Sequence, residues 1–541
     1  MHRRVSRRGT WSVKAATGVV AFTLATLGLS ACAPRPTPSP SPTAVAPTPT
    51  AVTPSPQPGR PALHITPPDR WINDPQRPFF RDGQWHLYHL YNADYPDGNG
   101  TSWYHLTSTD LVHWRDEGVA IEKYRNGLGD IWTGSAVVDT ENTAGYGAGA
   151  VLALATQQHD GVQVQSLFHS ADGGFTFASA DGNPVMPNPG VPDFRDPKVF
   201  WDAAHSRWVM ALAEGDAIGF YTSPDLRAWT YRSRFTTTGL GVLECPDLFP
   251  LAVDDDPGEV VWVLMTGANG AAEGFTTGTA AWLGEWDGEA FTSDGDHQWV
   301  DAGPDFYAAT TWEDPRVSDA EQLQSRYLIG WMNNWNYATD LPAPDWAGGT
   351  LSLVRELALR TVDGQPRLVV QPLGGLDALA PADEGPGADV TVTESWEASD
   401  PLPDGAYRLR VTVARDDAHP ARETRLLLDA GDGSFITVGY DFAGQRVFVA
   451  RDTDAIAATM PEDYRAIRSA PLAPDDGAVD LDIIVDDTTV EVFAGGGEAT
   501  LSSVVHTAPG ARGWGATSVA GVTRLLDLRV EPLAAAPVQQ P

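Results

Sequence analysis

The stretch STDLVHW, Ser108 to Trp114, has a second copy, SPDLRAW, Ser223 to Trp229, in which Ser, Asp, Leu and Trp keep their places. A looser version, SADGGFTF, begins at Ser170. Ser-x-Asp is turn chemistry, because both side-chain oxygens can accept from the backbone amides just ahead. The aspartates at 110, 172 and 225 are 62 and 53 residues apart, close to the length of a four-stranded unit with its loops. A sandwich has no need of a recurring turn, whereas a β-propeller repeats one in every blade. About 310 residues at roughly sixty per unit makes five blades.

The surrounding sequence fits. Between the turns lie short apolar runs with little helical period: WHLYHLY, VLALATQ, RWVMALA, VVWVLMTG and RYLIGWM. A Pro/Gly/Asp-rich gap, PADEGPGAD at 381–389, marks a boundary. Beyond it YRLRVTV and VDLDIIVDDTTVEVFAGG alternate apolar and polar residues, as an antiparallel sandwich does. The expectation is an all-β chain: a five-bladed β-propeller over 63–380, a C-terminal antiparallel β-sandwich over 381–535, and a tail over 536–541.

The N-terminus reads as an export signal. Arg3, Arg4, Arg7, Arg8 and Lys14 precede an apolar run from Ala15 to Leu29 that is too short to span a bilayer. Leu29-Ser30-Ala31-Cys32 resembles a bacterial lipobox, which makes residues 1–31 a lipoprotein signal peptide and Cys32 the lipidation site. Arg7-Arg8 is a weak twin-arginine feature. A Pro/Thr/Ser tether follows over 32–62, with no apolar period and an extended character. The expected location is therefore the cell surface or the medium. The only other cysteine, Cys245, leaves no disulfide available once Cys32 is acylated.

Charge narrows the partners. Asp and Glu number 71 against 36 Lys and Arg, and no basic stripe interrupts them, so nucleic acid and anionic membranes are excluded as partners. Membrane contact is expected only through the lipid. Tryptophan supplies 19 of the 51 aromatics, a skew that suits stacking on sugar rings but also suits a large β core. No His/Cys ligand cluster stands out, and DDD at 254–256 reads as solvated loop, so neither a metal nor another cofactor is expected.

Three acids sit in matching settings. RWINDPQRPFF, from Arg70 to Phe80, holds Asp74 before Pro75 among aromatics; DFRDPKVFW holds Asp196 before Pro197; GVLECPDLFPL holds Glu244 just before Cys245 and Pro246. Each is an acid at a strand edge, locked by a proline. In a propeller the edges nearest the axis converge on one funnel. Carboxylates gathered there suit glycoside hydrolysis, with one ionised as nucleophile and one protonated as acid.

The chain resembles glycoside hydrolase family 32, the β-fructosidases: invertases, inulinases, levanases and fructosyltransferases. WINDP, DLVHW, WTGSAVVDTENTAG, VQVQSLFHS, NPVMPNPGVPDFRDPKVFW, LECPDLF, DFYAA, GWMNNWNYA, VRELAL and VEVFAGGGEAT carry the resemblance in family order from about residue 63 to 530. It implies a covalent fructosyl-enzyme on Asp74 and a general acid/base in Glu244. It implies that Asp196 holds sugar hydroxyls and stabilises the transition state. Asn73, Arg195, Trp132 and Thr133 match sugar-holding positions, Asp305 of DFYAA matches another, and Trp103, in a stretch that usually holds two tryptophans, is expected to bind substrate as well. The implied partner is a fructan polysaccharide.

Three departures mark this member. Gln76-Arg77 replaces the usual Asn-Gly, Leu90 replaces the usual glutamine, and DYPDGNGTS precedes the single Trp103. All three are expected where the terminal sugar or its leaving group sits, and they resemble levan-specialised bacterial members. The leading expectation is a retaining fructan hydrolase acting on levan. One alternative is a levan fructotransferase that closes a difructose dianhydride; another is a non-catalytic fructan-binding lipoprotein.

Overall fold

The Ser-x-Asp repeat forms the outer turn of successive blades. Ser108, Ser170 and Ser223 end the third strands of blades I, II and III. In blade I the Leu111 amide donates to Ser108 Oγ, and the amides of Val112 and His113 donate to Asp110 Oδ1. Asp225 accepts from the Arg227 and Ala228 amides in the same way. Blade IV builds the same turn on Asp287, which accepts from the Glu289 and Ala290 amides, without the serine that makes the motif visible in sequence.

The computed structural model describes residues 59–540 apart from 99, 275–276, 343–344, 383–386 and 509. The expected signal peptide, Cys32 and the expected tether up to residue 58 lie outside the described residues. The innermost strands of the five blades are Arg70–Arg81, Asp130–Asp139, Arg195–Asp202, Leu243–Ala252 and Tyr307–Trp312. Each packs against the next and the fifth closes on the first. Within a blade, consecutive strands pair antiparallel from axis to rim. Two six-stranded antiparallel sheets, spanning Ala388–Pro532, then form the sandwich.

The tryptophan excess serves mainly as core. Trp85, Trp103, Trp312 and Trp331 are all fully buried. Each removes about 150–250 Å² from water, about 4–6 kcal/mol of transfer free energy before entropy. Trp335 is the tryptophan found among the exposed large apolar side chains, at 49 % exposure, and it lies at the cleft described below.

Both ends of the described residues are docked on the body. The amides of Ala62 and Leu63 donate to Asp486 of the sandwich, and buried His64 bridges Asp486 and Glu491 at 2.9 Å each. The tail pairs with blade I, where the Asp116 amide donates to Gln539 O and the Gln539 amide to Trp114 O.

Candidate active site

All five inner strands bulge near their starts, and the bulges supply the site. Blade I slips register between Asn73 and Pro75, which leaves Asp74 unpaired. Blade II slips between Ile131 and Gly134 and frees Trp132 and Thr133. Blade III bulges at Asp196 and Pro197, blade IV between Glu244 and Asp247, and blade V between Tyr307 and Thr310. A bulge re-aims a side chain that the regular pleat would direct elsewhere. Asp196, Cys245 and Ala308 adopt the left-handed region, with φ of 63°, 48° and 47°. Such strain costs about 1–3 kcal/mol per residue and is held in place by the surrounding packing. The prolines fall where a missing N–H is tolerated, at irregularities of the ladder.

Asp74, Asp196 and Glu244 meet in one cleft of about 570 Å³, lined also by Trp71, Asn73, Trp132, Thr133 and Arg195. Thr133 Oγ1 donates to Asp74 Oδ2 at 2.6 Å, and Asn73 Nδ2 donates to Oδ1 at 3.0 Å. Trp71 Nε1 donates to Asn73 Oδ1 at 2.9 Å and so fixes that amide. Asp196 Oδ2 accepts from the Cys245 amide at 3.0 Å. Glu244 Oε1 accepts from Arg195 Nη2 at 3.0 Å and Nε at 3.2 Å, while Oε2 accepts from Tyr307 OH at 2.5 Å.

The three acids feel one another. Burial pushes the Asp196 carboxyl up to about 7; Arg195 opposes the rise, and the charges of Glu244 and Asp74 add to it. Burial also raises Asp74, against the hydrogen bonds from Thr133 and Asn73, and Glu244 again adds. Carboxyls coupled in this way titrate as a set, so the cleft can hold a proton and a carboxylate together. Burial keeps the Cys245 thiol far above the usual thiol range, which leaves it a poor nucleophile.

Some expectations need correcting. Asp305 is fully buried away from the cleft. It accepts from Tyr337 OH at 2.6 Å, from Arg451 Nη1 at 2.6 Å and from the Val504 amide at 2.8 Å, so it joins propeller to sandwich. Trp103 is also fully buried, and its Nε1 donates to Trp132 O at 2.9 Å; it supports Trp132 rather than touching the cleft. Gln76 is buried too: its Nε2 donates to Asp74 O at 2.8 Å and its Oε1 accepts from the Gly134 amide at 2.7 Å. Arg77 and Phe80 line a separate cavity of about 600 Å³ further along the inner strands, where Arg77 pairs with Glu313 and Lys198 with Asp247. Of the expected aromatic box around Asp74, only Trp71 lines the cleft. Leu90 and the 95–101 turn do line it, as expected.

Sequence reasoning missed Tyr307 and Trp335. Tyr307 sits two residues after Asp305 in the same DFYAA stretch, and its hydroxyl rather than the Asp305 carboxylate reaches the acids. Trp335, in GWMNNWNYA, stacks at 18° and 6.2 Å on Trp71 at the cleft.

Comparison with known proteins follows this layout. The profile described as Glycosyl hydrolases family 32 N-terminal domain matches residues 64–372, and Glycosyl hydrolases family 32 C terminal matches 382–532. A levanbiose-producing levanase of Bacillus subtilis (strain 168) is 42 % identical over 480 residues, covering 87 % of this chain and 90 % of that protein. A levanbiose-producing levanase of Geobacillus stearothermophilus is 49 % identical over 310 residues, covering 57 % and 78 %. The crystal structure of exo-inulinase from Aspergillus awamori superposes with a TM-score of 0.79 at 29 % identity, over 89 % of this chain and 99 % of that one.

Proposed function

The chain belongs to glycosyl hydrolases family 32 and acts on fructan, and from that premise we infer a retaining hydrolase that releases a disaccharide from levan, with Asp74, Glu244 and Asp196 as its working acids. The observation that carries this reading is the meeting of the three bulged carboxyls in one cleft, each with a different set of donors.

Asp74 attacks the anomeric carbon of a β-fructosyl unit while Glu244 gives its proton to the departing oxygen, leaving a fructosyl ester on Asp74. Glu244, now ionised, takes a proton from water, which attacks the same carbon and frees Asp74. Arg195 and Tyr307 hold both oxygens of Glu244 and fix its aim through the two steps. Asp196, kept in place by the Cys245 amide, faces the sugar hydroxyls and the positive charge that develops on the ring. Asn73, Thr133 and Trp132 line the same wall and are assigned to sugar holding.

Levan is favoured because two relatives are levanbiose-producing levanases, and because Leu90 at the cleft cannot hydrogen-bond a terminal sugar. A fructotransferase would share the acids and differ only in what attacks the ester. Export agrees with relatives such as the extracellular exo-inulinase of Aspergillus ficuum, and lipid attachment at Cys32 is the proposed anchor. Chromatography of a levan digest tests the reading. A reducing disaccharide is expected as the main early product. Dominant fructose refutes the product assignment, and a non-reducing disaccharide selects the transferase.

A further inference from the structure

One wall of the cleft is the turn over residues 92–101, between the second and third strands of blade I. Asn92, Tyr95, Pro96, Asp97, Gly98 and Gly100 from it all face the cleft. Its two ends are held by one side chain that does not line the cleft. Lys123, just beyond the outer strand of the blade and 10 % exposed, donates to Asn92 Oδ1 at 3.1 Å and to Gly100 O at 2.8 Å, and pairs with Asp94 at 2.7 Å. An ammonium has three donors, and all three are used on this turn.

The other bonds complete a closed loop. The Gly98 amide donates to Asp94 O at 2.7 Å, Asn92 Nδ2 to Gly98 O at 3.1 Å, and Arg70 to Tyr95 O at 3.0 Å. The Tyr95 ring lies 4.9 Å from that of Trp71. A ten-residue turn of Gly, Asp and Pro would otherwise sample many shapes, and a subsite on it would lose affinity to ordering entropy.

Its position decides what it can bind. Asn92 pairs with Trp71 and Leu90 with Asn73, so the turn starts beside the Asp74 bulge. Glu244, which faces the leaving group, comes from a different sheet. The turn therefore borders the cleft on the side of the Asp74 strand. Leu90, paired with Asn73, lines the cleft and has no hydrogen-bonding side-chain group, whereas Asp97, Asp130 and Gln158 of the same lining do. A cleft of about 570 Å³ is in the range of multi-ring ligands.

We propose that residues 92–98 and 100–101 seat a second fructosyl unit, on the non-reducing side of the unit attacked by Asp74, and that Lys123 is the positioning residue that holds this seat. The inference rests on the levan reading above and explains how that reading yields a disaccharide. Without the seat, the glycone side holds one sugar and the product is fructose.

The test compares wild type, Lys123→Met and Lys123→Ala, on levan and on an aryl β-fructofuranoside that needs one sugar seat. Methionine keeps the stem and removes every donor. In both variants the ratio of disaccharide to fructose released early from levan should fall at least ten-fold. The rate on the aryl fructoside should stay within three-fold of wild type. An unchanged ratio in either variant overturns the proposal, and so do equal losses on both substrates, which a purely structural role predicts. If wild type itself releases fructose, the disaccharide reading fails; if wild type releases disaccharide and the variants do too, only the seat fails.

Discussion

Thr133→Val isolates one hydrogen bond on the attacking carboxylate. Thr133 Oγ1 is 2.6 Å from Asp74 Oδ2, and this bond is the largest of the three hydrogen-bond effects that oppose burial on Asp74. Thr133 is 6 % exposed, so little water can replace the lost donor. A hydrogen bond to a charged acceptor contributes about 1.5–3 kcal/mol. Its loss raises the Asp74 carboxyl further, disfavouring the ionised form about ten- to a hundred-fold. The nucleophile must be ionised, so a higher pKa moves the acidic limb of kcat/KM to higher pH by the same amount. Below that limb the variant should run about ten- to a hundred-fold slower than wild type, and the difference should shrink as pH rises. An aryl fructoside is the substrate of choice, because its leaving group needs no proton and the acidic limb then reports the nucleophile. An acidic limb that stays in place, in a variant that folds, refutes the role assigned to Thr133 and weakens that of Asp74.

Three further outcomes follow from the same geometry. Asp74→Asn should fold and lose turnover by several orders of magnitude; Asp196→Asn should be severely slowed yet still form a trappable adduct on Asp74, and an adduct mapped to residue 196 reverses the two roles. Glu244→Ala should lose about 10²–10⁴-fold on levan, far less on the aryl fructoside, and regain rate with azide, whereas equal losses on both substrates make Glu244 structural. His64 is a stability probe: burial lowers its pKa, but Asp486 and Glu491 outweigh this and raise it from 6.5 to about 9. Its contribution, about 3 kcal/mol, is therefore full below pH 6.5 and lost as pH rises through 9. Thermal melts across that window should show the loss in wild type and not in His64→Gln.

The propeller was legible because its turn chemistry repeats in sequence, although the blade IV copy at Asp287 escaped notice for want of the serine. The acids were legible because each carries a proline at or near a bulge, a local mark of an irregular strand edge. Direction was not legible. In DFYAA, Asp305 and Tyr307 are equally polar and only two residues apart, and only the bulge with Ala308 at φ 47° decides which faces the acids. Trp103 reads as a sugar platform and is a buried prop, because burial depends on what the neighbouring blade packs against it. Lys123 carries no motif at all, since its role depends on where a distant turn closes.

The corrected Asp305 also bears on how the two matched regions depend on each other. It links Arg451 of the sandwich to Tyr337 and to the start of the blade V inner strand, which carries Tyr307 to Glu244. A second buried set lies alongside, where Arg355 of blade V pairs with Asp301 and with Glu491 of the sandwich, at 2.8 and 2.7 Å. Both sets are fully withdrawn from water. Removing one partner from such a pair leaves a buried charge uncompensated, at about 3–5 kcal/mol. A propeller expressed alone would lose Arg451 from Asp305 and Glu491 from Arg355, which keeps Asp301, against a total stability of about 5–15 kcal/mol for an ordinary domain. Among the described residues the sandwich lines none of the cleft, and its link to Tyr307 runs through Asp305, two residues before it. Its removal should therefore cost folding first, and catalysis only as a consequence.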